Sequence, residues 1–268
     1  MIIKDTATES GLSLAARQPA LQHWYNTPVG QRVWQYEKQL LDHHLPGFFG
    51  YHLLSLGVSP HLPLATASPI HHQITLGPAP MSDSVSACAE FHALPLESES
   101  IDVALLHHSL DYSEDPHQLL RETARVLIPF GHVLIFGFQR WSALGMQHTL
   151  RSRLHPEDPV ASHHFLSLMR LHDWLKLLDF EILKSRHTVY VPPQLGDGIR
   201  KRLHWFDRLA WGAQLPFGSV YFILARKTVA GVRPLPTPWE KFPLRNPLSA
   251  LAPRPVAQTS RQHRSRLH

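Results

Sequence analysis

Apolar positions along the chain recur with two periods. From Thr27 to Leu45, the residues Val33, Tyr36, Leu40 and Leu41 return at helical spacing, and Pro46-Gly47 closes the segment. With Thr27 as cap and Pro28 in the first turn, this predicts a helix. Asp115 to Leu127 predicts a second, capped by Asp115 and opened by Pro116, with Glu122 facing Arg125 or Arg121. His163 to Leu178 predicts a third, with Phe165, Leu168, Trp174, Leu175 and Leu178 on one side, and Asp197 to Trp211 a fourth. Short apolar runs read as strands: Tyr51–Val58, Gln73–Leu76, Val85–Phe91, Ile101–Leu106, His132–Phe136 after the Phe130-Gly131 turn, Phe180–Val191 and Ser219–Arg226. Residues 1–23 read as irregular, and the three prolines of Ser59–Pro69 predict a loop.

Strands alternating with helices predict a parallel α/β sheet covered on both faces, with ligands at the C-terminal ends of its strands. The domain organisation expected is an irregular segment 1–23, an α/β domain 24–229 and a tail 230–268.

Charge changes this picture only at one end. The chain carries 26 Lys/Arg and 21 Asp/Glu, but residues 230–268 hold seven of the basic side chains and one acid, Glu240. Residues 1–229 are therefore left with 19 basic and 20 acidic groups, a net charge of −1. The basic, proline-rich tail reads as disordered. It reads first as a solubilising extension, with attraction of nucleic acid as the alternative, and nucleic acid is a candidate partner through this tail alone.

One cysteine, Cys88, excludes an internal disulfide framework. No apolar run approaches a membrane span, and Met1–Ser10 lacks a secretory pattern, so a cytoplasmic protein without a membrane partner is expected. The 21 histidines include the pairs His43-His44, His71-His72, His107-His108 and His163-His164. Neighbours in a strand or helix point to different sides and HExxH is absent, so no metal is expected.

The stretch Ala93–Phe138 carries a family resemblance. Leu94-Pro95-Leu96, Ser100-Ile101-Asp102-Val103, His107-His108 with Leu110, Asp115-Pro116 followed by Leu119, Leu120, Glu122 and Arg125-Val126-Leu127, and Pro129, Gly131, Leu134 and Ile135 follow in order. They resemble the LPF, SFDVV, strand-four end, DP…LxExxRVL and PGGxLLI motifs of class I, type-11 S-adenosylmethionine-dependent methyltransferases. Leu171–Leu175 is similar to the family's late helix and Tyr221–Lys227 to its closing strand. Thr27–Gly30 and Glu37 resemble the lead-in of a proteobacterial subgroup. The resemblance implies a Rossmann-like sheet with helices on both faces and a closing antiparallel strand. It also implies S-adenosylmethionine as cofactor and a small-molecule methyl acceptor.

The family's first motif places an acid before Gly-x-Gly-x-Gly; here Ser55 stands in the acid's place, Gly57 in the first glycine's, and Ser59 and His61 in the others', with Pro60 between. The acid ending strand two is missing from Thr75-Leu76-Gly77, while Glu90 matches the acid expected at the adenine and Phe91 follows it. The cofactor-binding residues implied are Ser55, Gly57, Ser59, Glu90, Phe91, Leu106 and His107; no catalytic residue is implied. For Gly57 the plain alternative is a strand-ending turn, and for Glu90 a surface acid. Trp24, Tyr25, Trp205, Phe206, Trp211, Tyr221 and Phe222 either roof a substrate pocket or fill core. Lys201, Arg202 and Arg208 either receive an acidic substrate or form a solvated helix face. The eroded motif leaves a second function open, a pseudo-methyltransferase acting as a binding or regulatory module.

Overall fold

The computed structural model of the chain describes residues 14–59, 61–77, 86–89, 91–154, 166–189, 198, 202 and 218–228. Two units, Met1–Val229 and Ala230–His268, divide the chain, and the second lies outside the described residues. So do Pro60, Glu90, Phe165 and, apart from Gly198 and Arg202, the helix expected over Asp197–Trp211.

Two helices lead into the sheet, α1 (Leu14–Asn26) and α2 (Pro28–His44). The second matches the sequence reading: Thr27 Oγ1 accepts from the Gly30 N–H, and Val33, Leu40 and Leu41 are buried. The first corrects the expectation that residues up to 23 are irregular. Pro19 lies inside it and its apolar positions make no clear stripe, so local pattern argues against a helix; burial of Leu21 and Tyr25 against α2 and the sheet decides otherwise.

The strands are β1 (His52–Gly57), β2 (His72–Gly77), β3 (Ala87–Cys88), β4 (Ile101–His107), β5 (Leu127–Phe138), β6 (Phe180–Thr188) and β7 (Val220–Lys227). They form one sheet in the order β3-β2-β1-β4-β5-β7-β6. The pairings among β1 to β5 are parallel, while β7 runs antiparallel to both β5 and β6. This is the Rossmann-like sheet with a closing reversed strand. β3 is shorter than expected, and β5 is longer: the Phe130-Gly131 turn becomes an irregularity inside it, with Phe130 at φ 64°.

Alternating residues of each central strand enter two cores. Leu53, Val103, Leu105, Leu134, Phe136 and Phe222 pack beneath α1 and α2. Leu54, Leu56, Ala104, Leu106, Val133, Ile135 and Tyr221 pack on the other face, against α4 (Pro116–Val126) and α6 (Leu168–Leu177). Burial on both faces is why these strands read as continuous apolar runs. α4 keeps its expected Asp115 cap, to the Gln118 N–H, and its Glu122–Arg125 pair at 2.9 Å. α6 starts later than the sequence suggests, since Leu166 and Ser167 lie outside the helix. Besides α1, the single-turn α3 (Ser109–Tyr112) and α5 (Ala143–Leu154) have no counterpart in the sequence reading.

The connection from β1 to β2 contains no helix in its described residues. Pro63 and Pro69 interrupt it, and it is held by turns such as Leu62 N–H to Ser59 O and Ser68 N–H to Ala65 O. Gly137 in β5 pairs with Tyr221 in β7, whose ring lies across the glycine. Among the described residues no helix is long and apolar enough to cross a membrane.

Candidate functional site

The order of strands reverses direction between β1 and β4, and ligands of such sheets bind where that happens, beyond the C-terminal strand ends. Gly57 and His107 are direct partners there, and the Val58 N–H donates to the His107 carbonyl. The chain then leaves β4 abruptly. His108 adopts a left-handed conformation (φ 55°, ψ 7°), bridges back to Gly57, and starts α3. A non-glycine residue held there is strained and needs surrounding contacts to keep it.

Those contacts are polar and fully buried. Glu37, from the inner face of α2, accepts from His107 Nε2 at 3.0 Å and from His108 Nε2 at 2.7 Å. His108 Nδ1 meets Asp111 Oδ2 at 2.9 Å, and the same oxygen accepts the Phe138 N–H at 2.9 Å. Glu37, His107, His108 and Asp111 are all 0% exposed. The left-handed turn explains how two adjacent histidines reach one carboxylate, against the expectation that they diverge. The Tyr25 ring of α1 lies 5.6 Å from His107, and Phe138 stacks on His108 at 4.0 Å.

Burial alone would raise the Glu37 carboxyl, but the His108 and His107 imidazoles outweigh it and hold it at about 2. Burial disfavours the His108 cation, yet Glu37 and Asp111 more than compensate and carry it up to about 9. For His107 burial dominates over Glu37 and the pKa falls. The two directions are opposite: the carboxyl groups of Glu37 and Asp111 favour the cation on His108, while burial favours the neutral form of His107. Burial also raises the Tyr25 phenol, with Glu37 adding to it. Several buried polar atoms around the network have no partner: Tyr25 Oη, Ser55 Oγ, His107 Nδ1, Ser109 Oγ and Asp111 Oδ1.

The sequence-expected residues separate into groups. Ser55, Gly57, Ser59 and His107 are buried at the ends of β1 and β4. Gly57 has no positive φ, and a Cβ there would meet only the tip of Leu64, at 3.2 Å, as a tight contact. Leu106 and Phe91 pack into the opposite core, with Leu94 and Leu110. His61 is exposed, and Glu90 lies outside the described residues. Of the aromatic candidates, Tyr25, Tyr221 and Phe222 are core and Trp24 is half-buried, while Trp205, Phe206 and Trp211 lie outside the described residues, as do Lys201 and Arg208. Sequence reading missed Glu37 and Asp111 as site residues. The available signal was a carboxylate on the apolar stripe of α2, because a buried acid requires a partner.

Comparison with known proteins agrees with this architecture. A profile of the methyltransferase domain matches residues 72–135. The uncharacterized protein YafS of Escherichia coli K12 is 35% identical over 169 residues, which cover 63% of this chain and 69% of YafS. The chain belongs to the methyltransferase domain family. A Thermotoga maritima S-adenosylmethionine-dependent methyltransferase superposes with a TM-score of 0.57 at 18% identity, covering 78% of this chain and 95% of that one. A Mesorhizobium loti S-adenosylmethionine-dependent methyltransferase gives 0.50 at 16%, covering 71% and 97%. At these identities the likeness shows the fold of the family, here carried with an irregular β1–β2 connection.

Proposed function

We propose that this member of the methyltransferase family transfers the methyl group of S-adenosylmethionine to a small-molecule acceptor. The observation that carries the reading is the junction of β1 and β4 within the family's sheet order, with Gly57 facing His107 at the ligand-binding end. The residues present there fit the cofactor's polar end. Ser55 Oγ is buried without a partner, Ser59 is buried four residues further on, and a Cβ on Gly57 would be crowded only by a flexible Leu64 methyl. At the end of β2, Leu76-Gly77 offers no carboxylate for a ribose, so more of the hold falls on backbone groups and on Ser55 and Ser59.

The bound cofactor supplies an electrophilic methyl on a sulfonium centre. The chain's own contribution is placement, because in-line positioning of acceptor and methyl accounts for much of such a rate enhancement. Glu37, His108 and Asp111 fix the exit of β4 and the start of α3 at the ligand-binding end of the sheet. A small acceptor is favoured over nucleic acid because residues 1–229 carry a net charge of −1, with no excess of cations to neutralise phosphates.

Isothermal titration of the full chain with S-adenosylmethionine and S-adenosylhomocysteine tests the reading. A Kd of about 1 μM, or about −8 kcal/mol, is expected. No binding up to about 1 mM, about −4 kcal/mol, overturns it. The helix-free β1–β2 connection and the missing β2 carboxylate would then mark a pseudo-methyltransferase that uses the sheet as a binding module.

A further inference from the structure

Among the described residues, Glu37, His107 and His108 bring a carboxylate oxygen and two ring nitrogens within 4.8 Å of one another, all buried. We propose that these three side chains bind a borderline divalent transition-metal ion, zinc in the first instance, which ties α2 to the end of β4. This inference does not rest on cofactor binding.

The donor set is the first argument. Two neutral-capable imidazoles and one carboxylate suit zinc and its neighbours; calcium and magnesium favour all-oxygen shells, and copper(I) favours sulfur. Geometry is the second. Ligands at zinc lie at about 2.0–2.2 Å, so two of them around a tetrahedral ion stand about 3.4 Å apart. The Glu37 oxygens already lie 3.0 Å from His107 Nε2 and 2.7 Å from His108 Nε2, so small side-chain rotations open the space. Both histidines present the same ring nitrogen, Nε2, to the carboxylate.

The shell behind the ligands is the third argument. Metal-bound histidines ordinarily engage a carboxylate or carbonyl through the other ring nitrogen. Asp111 Oδ2 holds His108 Nδ1 in that way at 2.9 Å, and is itself anchored by the Phe138 N–H. The unpartnered Tyr25 hydroxyl belongs to a residue only 3% exposed, whose ring lies 5.6 Å from that of His107. Electrostatics supplies the fourth. The carboxyl groups of Glu37 and Asp111 are both 0% exposed in an otherwise apolar interior, where buried carboxylates call for a counter-charge that a divalent ion supplies.

Because the site is fully buried, the full chain should be refolded from denaturant with and without Zn²⁺, Mn²⁺, Fe²⁺ or Ni²⁺ and then dialysed against a chelator. Zinc retention near one equivalent per chain is expected. Zinc-edge X-ray absorption on the wild type should show two imidazoles and one carboxylate, and this needs no variant to fold. The His52→Ala/His72→Ala variant, which removes the exposed histidine pair, should keep that ion and that spectrum. Asp111→Asn should weaken binding by about 10–100-fold, and His107→Asn more. Failure to retain any of the four ions overturns the proposal. So does a spectrum with fewer than two imidazoles, or a folded His107→Asn protein with wild-type zinc affinity. Loss of the ion with the His52→Ala/His72→Ala variant would place it on the surface and equally overturn the assignment. S-adenosylmethionine titration reads the other proposal independently.

Discussion

Replacing Gly137 by alanine tests whether this glycine is kept for room and not for backbone freedom. Its φ is not positive, so an alanine meets no conformational objection. The objection comes from Tyr221. A Cβ on Gly137 would overlap the phenol Oη and Cζ and lie 2.8 Å from Cε1. Carbon atoms in contact prefer about 3.5–4.0 Å. The ring must therefore retreat by about 1 Å, yet it is 0% exposed and enclosed by the core on the α4 side of the sheet. Overpacking of this kind costs about 1–3 kcal/mol, and a rigid ring directly above the new methyl places it near the upper value. For a unit of this size about 3 kcal/mol lowers Tm by roughly 6–12 °C. Tyr221→Ala alone should cost about 3–5 kcal/mol through the cavity it leaves. The double variant should be less destabilised than the sum by about 2 kcal/mol, since the methyl then occupies vacated space. Denaturant unfolding followed by tryptophan fluorescence and circular dichroism measures all four proteins. Additivity within about 0.5 kcal/mol, or wild-type stability for Gly137→Ala, would refute the argument.

Gly57→Ala should leave stability within about 1 kcal/mol of wild type, because only the Leu64 methyl must yield, yet weaken S-adenosylmethionine binding at least about tenfold, or 1.4 kcal/mol; unchanged affinity by titration would assign Gly57 to the fold alone. Phe130 is 60% exposed and held at φ 64°, so Phe130→Asn should stabilise by about 1 kcal/mol, read as a raised denaturation midpoint. His44 stacks on Phe222, and burial, with Lys184 and His43 adding, lowers its pKa from 6.5 to about 4. The unfolded chain then takes the proton first, so stability is lost as pH falls from 6.5 toward 4. His44→Gln should flatten that part of the stability profile measured by thermal melts, and an unchanged slope would count against it.

Much of the fold was legible because its strands are buried on both sides and two of its helices carry strong caps. Thr27 and Asp115 each announce a helix that tertiary packing confirms. α1 was illegible because Pro19 and a weak apolar stripe argue locally against it, and only contact with α2 and the sheet resolves the conflict. The junction of β1 and β4 was legible through Ser55, Gly57 and His107. Its polar interior was not. Convergence of His107 and His108 depends on one left-handed residue, and their partner Glu37 comes from about 70 positions earlier, a proximity that no local periodicity encodes.

The place of β7 has a consequence for synthesis. It is the last strand of the sheet to leave the ribosome, yet it lies between β5 and β6. Residues 139–219 separate the end of β5 from its partner, and at about 5–20 residues per second they take roughly 4–16 s to translate. Throughout that interval the nascent chain exposes the apolar edge of β5, Val133 to Phe138, with its backbone donors and acceptors unpaired. A chaperone that shields β5 during elongation should therefore raise the yield of folded protein more than one added after release.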